Sequence, residues 1–215
     1  MTFYKRNLPH WQPPGASYFI TFRLAGTLPK IALDELRLEK QKLQALHKHS
    51  FPSDKALQEF IYKKLFMKIE DYLDKGHHGP TWLKDPKMAQ IIKDSLHFKD
   101  GTDYFLFAYC IMSNHVHLVF QHIAGGMEPN KVNEYPITKI LASLKKYTGR
   151  RCNSYLGRTG HQFWQNESYD HVIRDSDELH RIVHYTLSNP VKANLVEHWR
   201  EWPYSYCISE FQDLF

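Results

Sequence analysis

Residues 103–121, DYFLFAYCIMSNHVHLVFQ, leave the chain few ways to fold. The run is dense in aromatic and β-branched residues and holds no glycine or proline, so it reads as two neighbouring strands, 103–114 and 115–121, joined by a tight turn near Ser113-Asn114. Side chains alternate across a strand, so His115 and His117 project to one face and Val116 to the other. Two imidazoles inside an apolar run are costly unless they are satisfied. Either they share a metal ion or each finds a hydrogen-bond partner, and the spacing alone does not choose between the two. With 14 His in 215 residues, composition alone supplies a His-x-His about once. A second copy, His47-Lys48-His49, lies on a helical pattern, where residues two apart point about 200° around the axis and cannot chelate. That copy reads as a solvated face, and His77-His78 as a surface turn.

Around this pair the pattern alternates between short-period and helical segments. Residues 1–16 form a proline-bounded extended arm, and SYFITFRL at 17–24 reads as a strand ended by Gly26 and Pro29. Residues 31–49, 54–75 and 86–98 are helical, with Ser53 or Asp54 capping the second and Pro86 in the first turn of the third. A helix runs from Pro136 to about Leu156, and 162–174 reads as a last strand and its approach. A final helix, capped by Ser176 or Asp177, runs to about Ser188, where Asn189-Pro190 reads as a stop. Residues 195–215 read as an aromatic, irregular tail. With the helical block at 30–100 set aside as an insertion after the first strand, the order is strand, helix, strand, strand, helix, strand, helix. That is an α+β, ferredoxin-like split βαβ sandwich in a single domain spanning 1–215. The insertion has no function legible in its sequence.

Composition narrows the class. Hydrophobic residues at 42% and charged residues at 24% suit a globular protein with a core. A net charge of +5 permits nucleic-acid binding, and 13 Tyr, 13 Phe and 5 Trp supply rings of the kind on which single-stranded bases stack, although most such rings belong to cores. Cys110, Cys152 and Cys207 have no paired spacing, which argues against a disulfide framework or a cysteine zinc site and suits a reducing cytoplasm. No apolar run approaches the ~20 residues of a membrane span, so no membrane role is expected.

The final helix carries a second pattern. Tyr185 and Asn189 are four apart and share one helix face. The bland reading is an amphipathic helix with a half-buried tyrosine. The sharper one puts the phenol and the amide oxygen beside a metal held on the neighbouring sheet. A phenol is a poor nucleophile and needs a metal or base nearby. Two imidazoles and a carbonyl oxygen leave positions open for phosphate oxygens and suit Mg²⁺ or Mn²⁺. Lys145, Lys146, Arg150 and Arg151 cluster on one helix end, where they either meet phosphates or simply solvate and complement the helix dipole. Lys5, Arg6 and Trp11 offer the arm a similar choice between DNA contact and packing. Glu167, Asp170 and His171 either orient a ligand histidine or form ordinary surface pairs.

Taken together, these segments resemble a known family. Met112-Ser113-Asn114-His115-Val116-His117-Leu118-Val119 resembles the signature of the single-tyrosine HUH transposases. Arg6-Asn7-Leu8-Pro9-His10-Trp11 with Tyr18-Phe19-Ile20-Thr21-Phe22-Arg23, then Phe163 through His171, Tyr185 through Ala193, and Trp202-Pro203-Tyr204-Ser205-Tyr206 resemble the REP-associated subgroup. The resemblance covers most of the chain outside 30–100. It implies an HUH endonuclease that cleaves single-stranded DNA beside a hairpin, links a tyrosine to the 5′ phosphate and frees a 3′ hydroxyl. By position, His115 and His117 are then metal ligands, Tyr185 the nucleophile, and Asn189 the third ligand where many relatives carry the longer Gln. The same resemblance leaves open a monomer or a homodimer, and places the protein in the cytoplasm with the nucleoid. The competing reading keeps the fold as a domesticated hairpin-binding protein without cleavage. A cupin-like metalloenzyme would need more short strands and fewer long helices.

Overall fold

The expected strand pair lies inside a five-stranded antiparallel sheet. The structure is a computed structural model and describes residues 3–5, 9–76, 78–124 and 136–213. In chain order the elements are β1 (Phe3–Lys5), β2 (Pro9–Trp11), β3 (Ser17–Arg23), α1 (Lys30–Leu46), α2 (Asp54–Lys75), α3 (Pro86–Phe98), β4 (Tyr104–Ile111), β5 (His115–His122), α4 (Pro136–Tyr155), β6 (Tyr169–Ile173), α5 (Ser176–Lys192), β7 (Ser205–Cys207) and α6 (Ser209–Gln212). The sheet order is β6-β3-β5-β4-β7. Its first four members, with α3 between β3 and β4 and α4 between β5 and β6, are the split βαβ plan, all neighbours antiparallel.

Alternation along the strands makes two cores. Tyr18, Ile20 and Phe22 of β3 and Val116, Leu118 and Phe120 of β5 pack with Met88, Ala89, Ile92 and Leu96 of α3 and with Ile137, Ile140 and Leu144 of α4. On the opposite face Phe19 and Val119 pack with Phe66 of α2 and with Val183 and Leu187 of α5. His117 lies opposite Thr21 in the β3–β5 register, so it joins this second face. The β4–β5 turn closes tightly, Met112 N donating to His115 O at 2.9 Å.

Four features depart from the sequence reading. Residues 3–5 and 9–11, expected as an extended arm, pair antiparallel as a short ribbon, Phe3 opposite Trp11. The tail expected to be irregular supplies β7, because Tyr206 stacks on Tyr109 and Trp202 Nε1 donates to Ile111 O at 3.0 Å, docking the segment on β4. The final helix is capped by Asp175, whose side chain accepts from Glu178 N at 2.7 Å, instead of by Ser176 or Asp177. It also continues through Pro190 to Lys192. Proline there has no N–H for Thr186 O, and Asn189 Nδ2 donates to that carbonyl at 3.3 Å and to Tyr185 O at 2.8 Å. The side chain before the proline thus replaces the missing backbone donor, which sequence rules for X-Pro do not anticipate.

The insertion is a helical hairpin. Ser53 caps α2, accepting from Ala56 N at 3.2 Å, and Leu43, Leu57 and Ile61 make a small core of their own. Further along, α2 reaches the sheet, where Phe66 stacks on Tyr169 with ring centroids 3.7 Å apart and meets Phe19 edge-on.

Candidate metal and nucleophile site

β5 delivers two completely buried imidazoles, His115 and His117, whose Nε2 atoms lie 3.0 Å apart. Both Nδ1 atoms are engaged. Asn114 Oδ1 lies 2.6 Å from His115 Nδ1, and Thr21 Oγ1 lies 2.8 Å from His117 Nδ1. Asn114 Nδ2 donates to Leu73 O of α2 at 3.0 Å, which fixes the amide so that its oxygen faces the ring. His115 therefore carries its proton on Nδ1 and presents a bare Nε2 lone pair; the threonine hydroxyl can accept from His117 in the same way.

α2 supplies the third group. Glu70, 2% exposed, places Oε2 3.2 Å from His117 Nε2 and accepts the Tyr185 hydroxyl at 2.7 Å. Asp74, one turn further, lies 3.9 Å from His115 Nε2. One ligand atom each from Glu70, His115 and His117 falls within 4.8 Å of the others. An octahedral ion with ligands at about 2.1 Å holds cis partners about 3.0 Å apart. The two Nε2 atoms match that bite. Three buried oxygens around them, Glu70 Oε1, Asp74 Oδ1 and Asn189 Oδ1, have no hydrogen-bond partner. An orphaned buried acceptor costs about 1–3 kcal/mol, and a divalent cation would satisfy such a set. The residues present therefore fit Mg²⁺ or Mn²⁺.

The charge states follow from burial. It holds His115 down at about 3 and His117 well below its ordinary value, with His115 and Lys192 adding to the effect on His117. Burial pushes Glu70 up to about 8 against the hydrogen bond from Tyr185, and Asp74 up to about 6 with Lys192 opposing. At neutral pH without metal, the Glu70–His117 contact is therefore one between largely uncharged groups. The Tyr185 hydroxyl is raised by burial and by Glu70, through both its charge and its hydrogen bond. Lys192 Nζ lies 4.3 Å from the Tyr185 ring centroid, a cation close enough to favour a phenolate.

α5 brings Tyr185 and Asn189 to this cluster on one face, as their spacing requires. Asn189 is 1% exposed; its amide nitrogen is spent on the backbone and its Oδ1 has no hydrogen-bond donor, although the side chain favours the charged form of His117. Asp170 and His171 have partners other than the two histidines. His171 pairs with Glu178 at 2.9 Å, and Asp170 N donates to the Tyr62 hydroxyl at 3.2 Å. Thr21 and Asn114 do the orienting instead. Lys145, Lys146 and Arg150 line a separate groove on α4, whereas Arg151 does not. The Lys145 amine is bound to Gln165 O, Asn166 O and Ser168 Oγ. Arg6 lies outside the described residues, and only the backbone of Lys5 and Trp11 is described.

Glu70, Asp74, Thr21 and Asn114 were missed by sequence reasoning. One signal was present: Glu70 sits on the apolar stripe that carries Leu57, Ile61, Phe66 and Leu73, where a carboxylate needs a partner.

No family model matches the chain. A curated Haemophilus influenzae protein provisionally named a REP-associated tyrosine transposase is 30% identical over 117 residues, covering 50% of this chain; the chain spans 63% of that relative's length. A solved structure of a REP-associated tyrosine transposase bound to a REP hairpin aligns with a TM-score of 0.49 at 15% identity, over 95% of this chain and 82% of that one. The resemblance to the REP-associated tyrosine transposases that the motifs carry is thus met by a curated relative bearing that family's name.

Proposed function

We propose that the chain is a metal-dependent single-stranded DNA endonuclease and strand transferase that cuts beside DNA hairpins through a 5′-phosphotyrosine. The observation that carries this reading is the Tyr185 hydroxyl hydrogen-bonded to a carboxylate that also reaches His117. In this reading His115, His117 and Glu70 hold Mg²⁺ or Mn²⁺, with Asn189 Oδ1 a fourth donor. When bound, the ion polarises the phosphodiester and neutralises charge that develops during attack. Tyr185 supplies the nucleophilic oxygen, and its proton passes to Glu70 Oε2. A bond forms from that oxygen to phosphorus, the bond to the 3′ oxygen breaks, and the leaving oxygen takes up the proton held on Glu70 to become a 3′ hydroxyl. A second 3′ hydroxyl attacking the phosphotyrosine reverses these steps and transfers the strand. Thr21 and Asn114 keep both Nε2 atoms aimed at the site throughout.

The test incubates the protein with labelled hairpin oligonucleotides, taken from repeats flanking its own gene, and Mn²⁺. A covalent adduct on a denaturing gel, absent with Tyr185→Phe and with EDTA, is expected. An adduct that survives Tyr185→Phe moves the nucleophile elsewhere. Retardation on a native gel with no adduct in any metal favours the domesticated hairpin binder.

A further inference from the structure

A helix that stopped at Ser188 would leave Lys192 on a loop. Because Asn189 supplies the donors that Pro190 lacks, α5 runs on, and Lys192 is its last residue. Tyr185, Asn189 and Lys192 are then four and three residues apart and share one helix face. The lysine side chain runs back along that face, so that Nζ lies 4.3 Å from the Tyr185 ring centroid. Among the described residues this ammonium forms no ion pair and no hydrogen bond.

Its charge is nonetheless felt across the cluster. Burial raises Glu70 and Asp74, and Lys192 opposes the rise in both; burial and His115 lower His117, and Lys192 adds to that. A lysine in the last turn of a helix complements the dipole wherever its side chain points. This one points at the nucleophile. An ammonium is a compact charge with three donors on a flexible stem, so it can leave the ring face for an oxygen on phosphorus while the backbone stays still. Attack by the Tyr185 oxygen adds negative charge to the phosphate oxygens at that place, where a fixed cation is worth most.

We propose that Lys192 is a catalytic residue of the strand-cutting reaction, its ammonium donating to an oxygen of the phosphate that Tyr185 attacks and then to the phosphotyrosine that results. The proposal rests on the nuclease reading of the site. Lys192 keeps its proton throughout; the proton of Tyr185 passes to Glu70 and on to the leaving 3′ oxygen. With no phosphate present the same charge repels a divalent ion, so Lys192 weakens metal binding in the free protein and speeds the reaction in the complex. A lysine that merely ends a helix, or props up the metal site, does not have these two opposite effects.

The experiment compares the wild type with Lys192→Met, Lys192→Arg and Lys42→Met. Methionine keeps an unbranched, helix-favouring stem over the ring. Lys42→Met removes an exposed charge from α1. Three quantities are measured: the rate of covalent adduct formation at saturating Mn²⁺ and hairpin oligonucleotide, Mn²⁺ affinity without DNA by calorimetry, and denaturant unfolding. Lys192→Met should slow the saturated rate about 100-fold, and Lys192→Arg should recover most of it. Without DNA, Lys192→Met should bind Mn²⁺ roughly threefold more tightly. Lys42→Met should leave both unchanged. A Lys192→Met rate equal to that of Lys42→Met overturns the proposal, and if unfolding alone has changed, the lysine serves only the helix end. A slowed rate with an equal loss of Mn²⁺ affinity makes Lys192 a prop of the metal site and also overturns it. A wild type that forms no adduct sinks the nuclease reading and this role with it, whereas an adduct formed equally well by Lys192→Met sinks the role alone.

Discussion

Metal binding at the histidine–glutamate cluster should release close to one proton per ion at neutral pH, and that proton should come from Glu70. The donors differ in what they must give up. His115 and His117 are already neutral at pH 7, held there by burial, with His115 at about 3. Glu70, pushed up to about 8, is mostly protonated and must ionise before it ligates. Its ionised fraction is about 1 in 100 at pH 6 and about one half at pH 8, so apparent Mn²⁺ affinity should rise about fifty-fold across that interval, one decade per pH unit until it flattens. The stability of the metal-free protein carries the opposite sign. A carboxyl whose folded pKa lies above its ordinary value stabilises the fold most fully below about 4.5, and the contribution is lost as pH rises through about 8. Calorimetric Mn²⁺ titrations in two buffers of different ionisation enthalpy report the proton count directly. Glu70→Gln should bind more weakly and release none. An affinity flat from pH 6 to 8, or a proton release that persists in Glu70→Gln, refutes Glu70 as the ionising ligand.

Other perturbations read other parts of the site. Thr21→Val removes the partner of His117 Nδ1 and should weaken Mn²⁺ binding about 10–100-fold while leaving the fold intact by circular dichroism. Phe66→Ala deletes the ring stacked on Tyr169 and should cost about 3–5 kcal/mol in denaturant unfolding. Because α2 also carries Glu70, metal affinity should fall with it; full metal affinity in a destabilised Phe66→Ala protein would show that Glu70 is positioned without that packing. Asn189→Ala exposes Thr186 O as an unsatisfied carbonyl next to Pro190 and should cost about 1–3 kcal/mol. If Asn189 is also a ligand, the variant loses Mn²⁺ affinity as well, so the paired measurements separate its helix-repair role from its metal role.

The sheet, the face shared by the two histidines and the helix face shared by Tyr185 and Asn189 were legible because each follows from a local period. Alternation put His115 and His117 together, and a four-residue step put Tyr185 over Asn189. What periodicity cannot show is which remote segment arrives at a given face. Thr21 and His117 are 96 residues apart and meet only through the β3–β5 register, and Glu70 and Tyr185 are 115 residues apart and meet only because α2 crosses the sheet. The tail was misread for a related reason: three residues of β7 carry too short an alternation to stand out until β4 offers an edge.

The insertion is where the sequence reading stopped and the site begins to make sense. Without α2, the β5 face would present His115 and His117 beside Phe19 and α5, with no carboxylate at hand among the described residues and no acceptor for the Tyr185 hydroxyl. The same helix also sets the Asn114 amide through Leu73 O, so one turn of α2 both completes the ligand group and orients one of its histidines. A ligand contributed by an inserted helix makes metal affinity depend on how that helix packs. The anchor between α2 and the sheet is a small aromatic cluster, Phe66 against Phe19 and Tyr169, with Tyr62 stacked on Tyr169 at 4.6 Å. Binding a divalent ion between Glu70 and the β5 histidines should therefore stabilise the α2–sheet contact by RT ln(1 + [M]/Kd), growing with the logarithm of free metal above Kd. Hydrogen exchange checks this: amides of α2 from Phe66 to Asp74 should gain protection on adding Mn²⁺, while those of α1 and the first two turns of α2 should not. Equal protection along the whole hairpin would mean that the insertion folds as one unit and that Glu70 is held in place before the metal arrives.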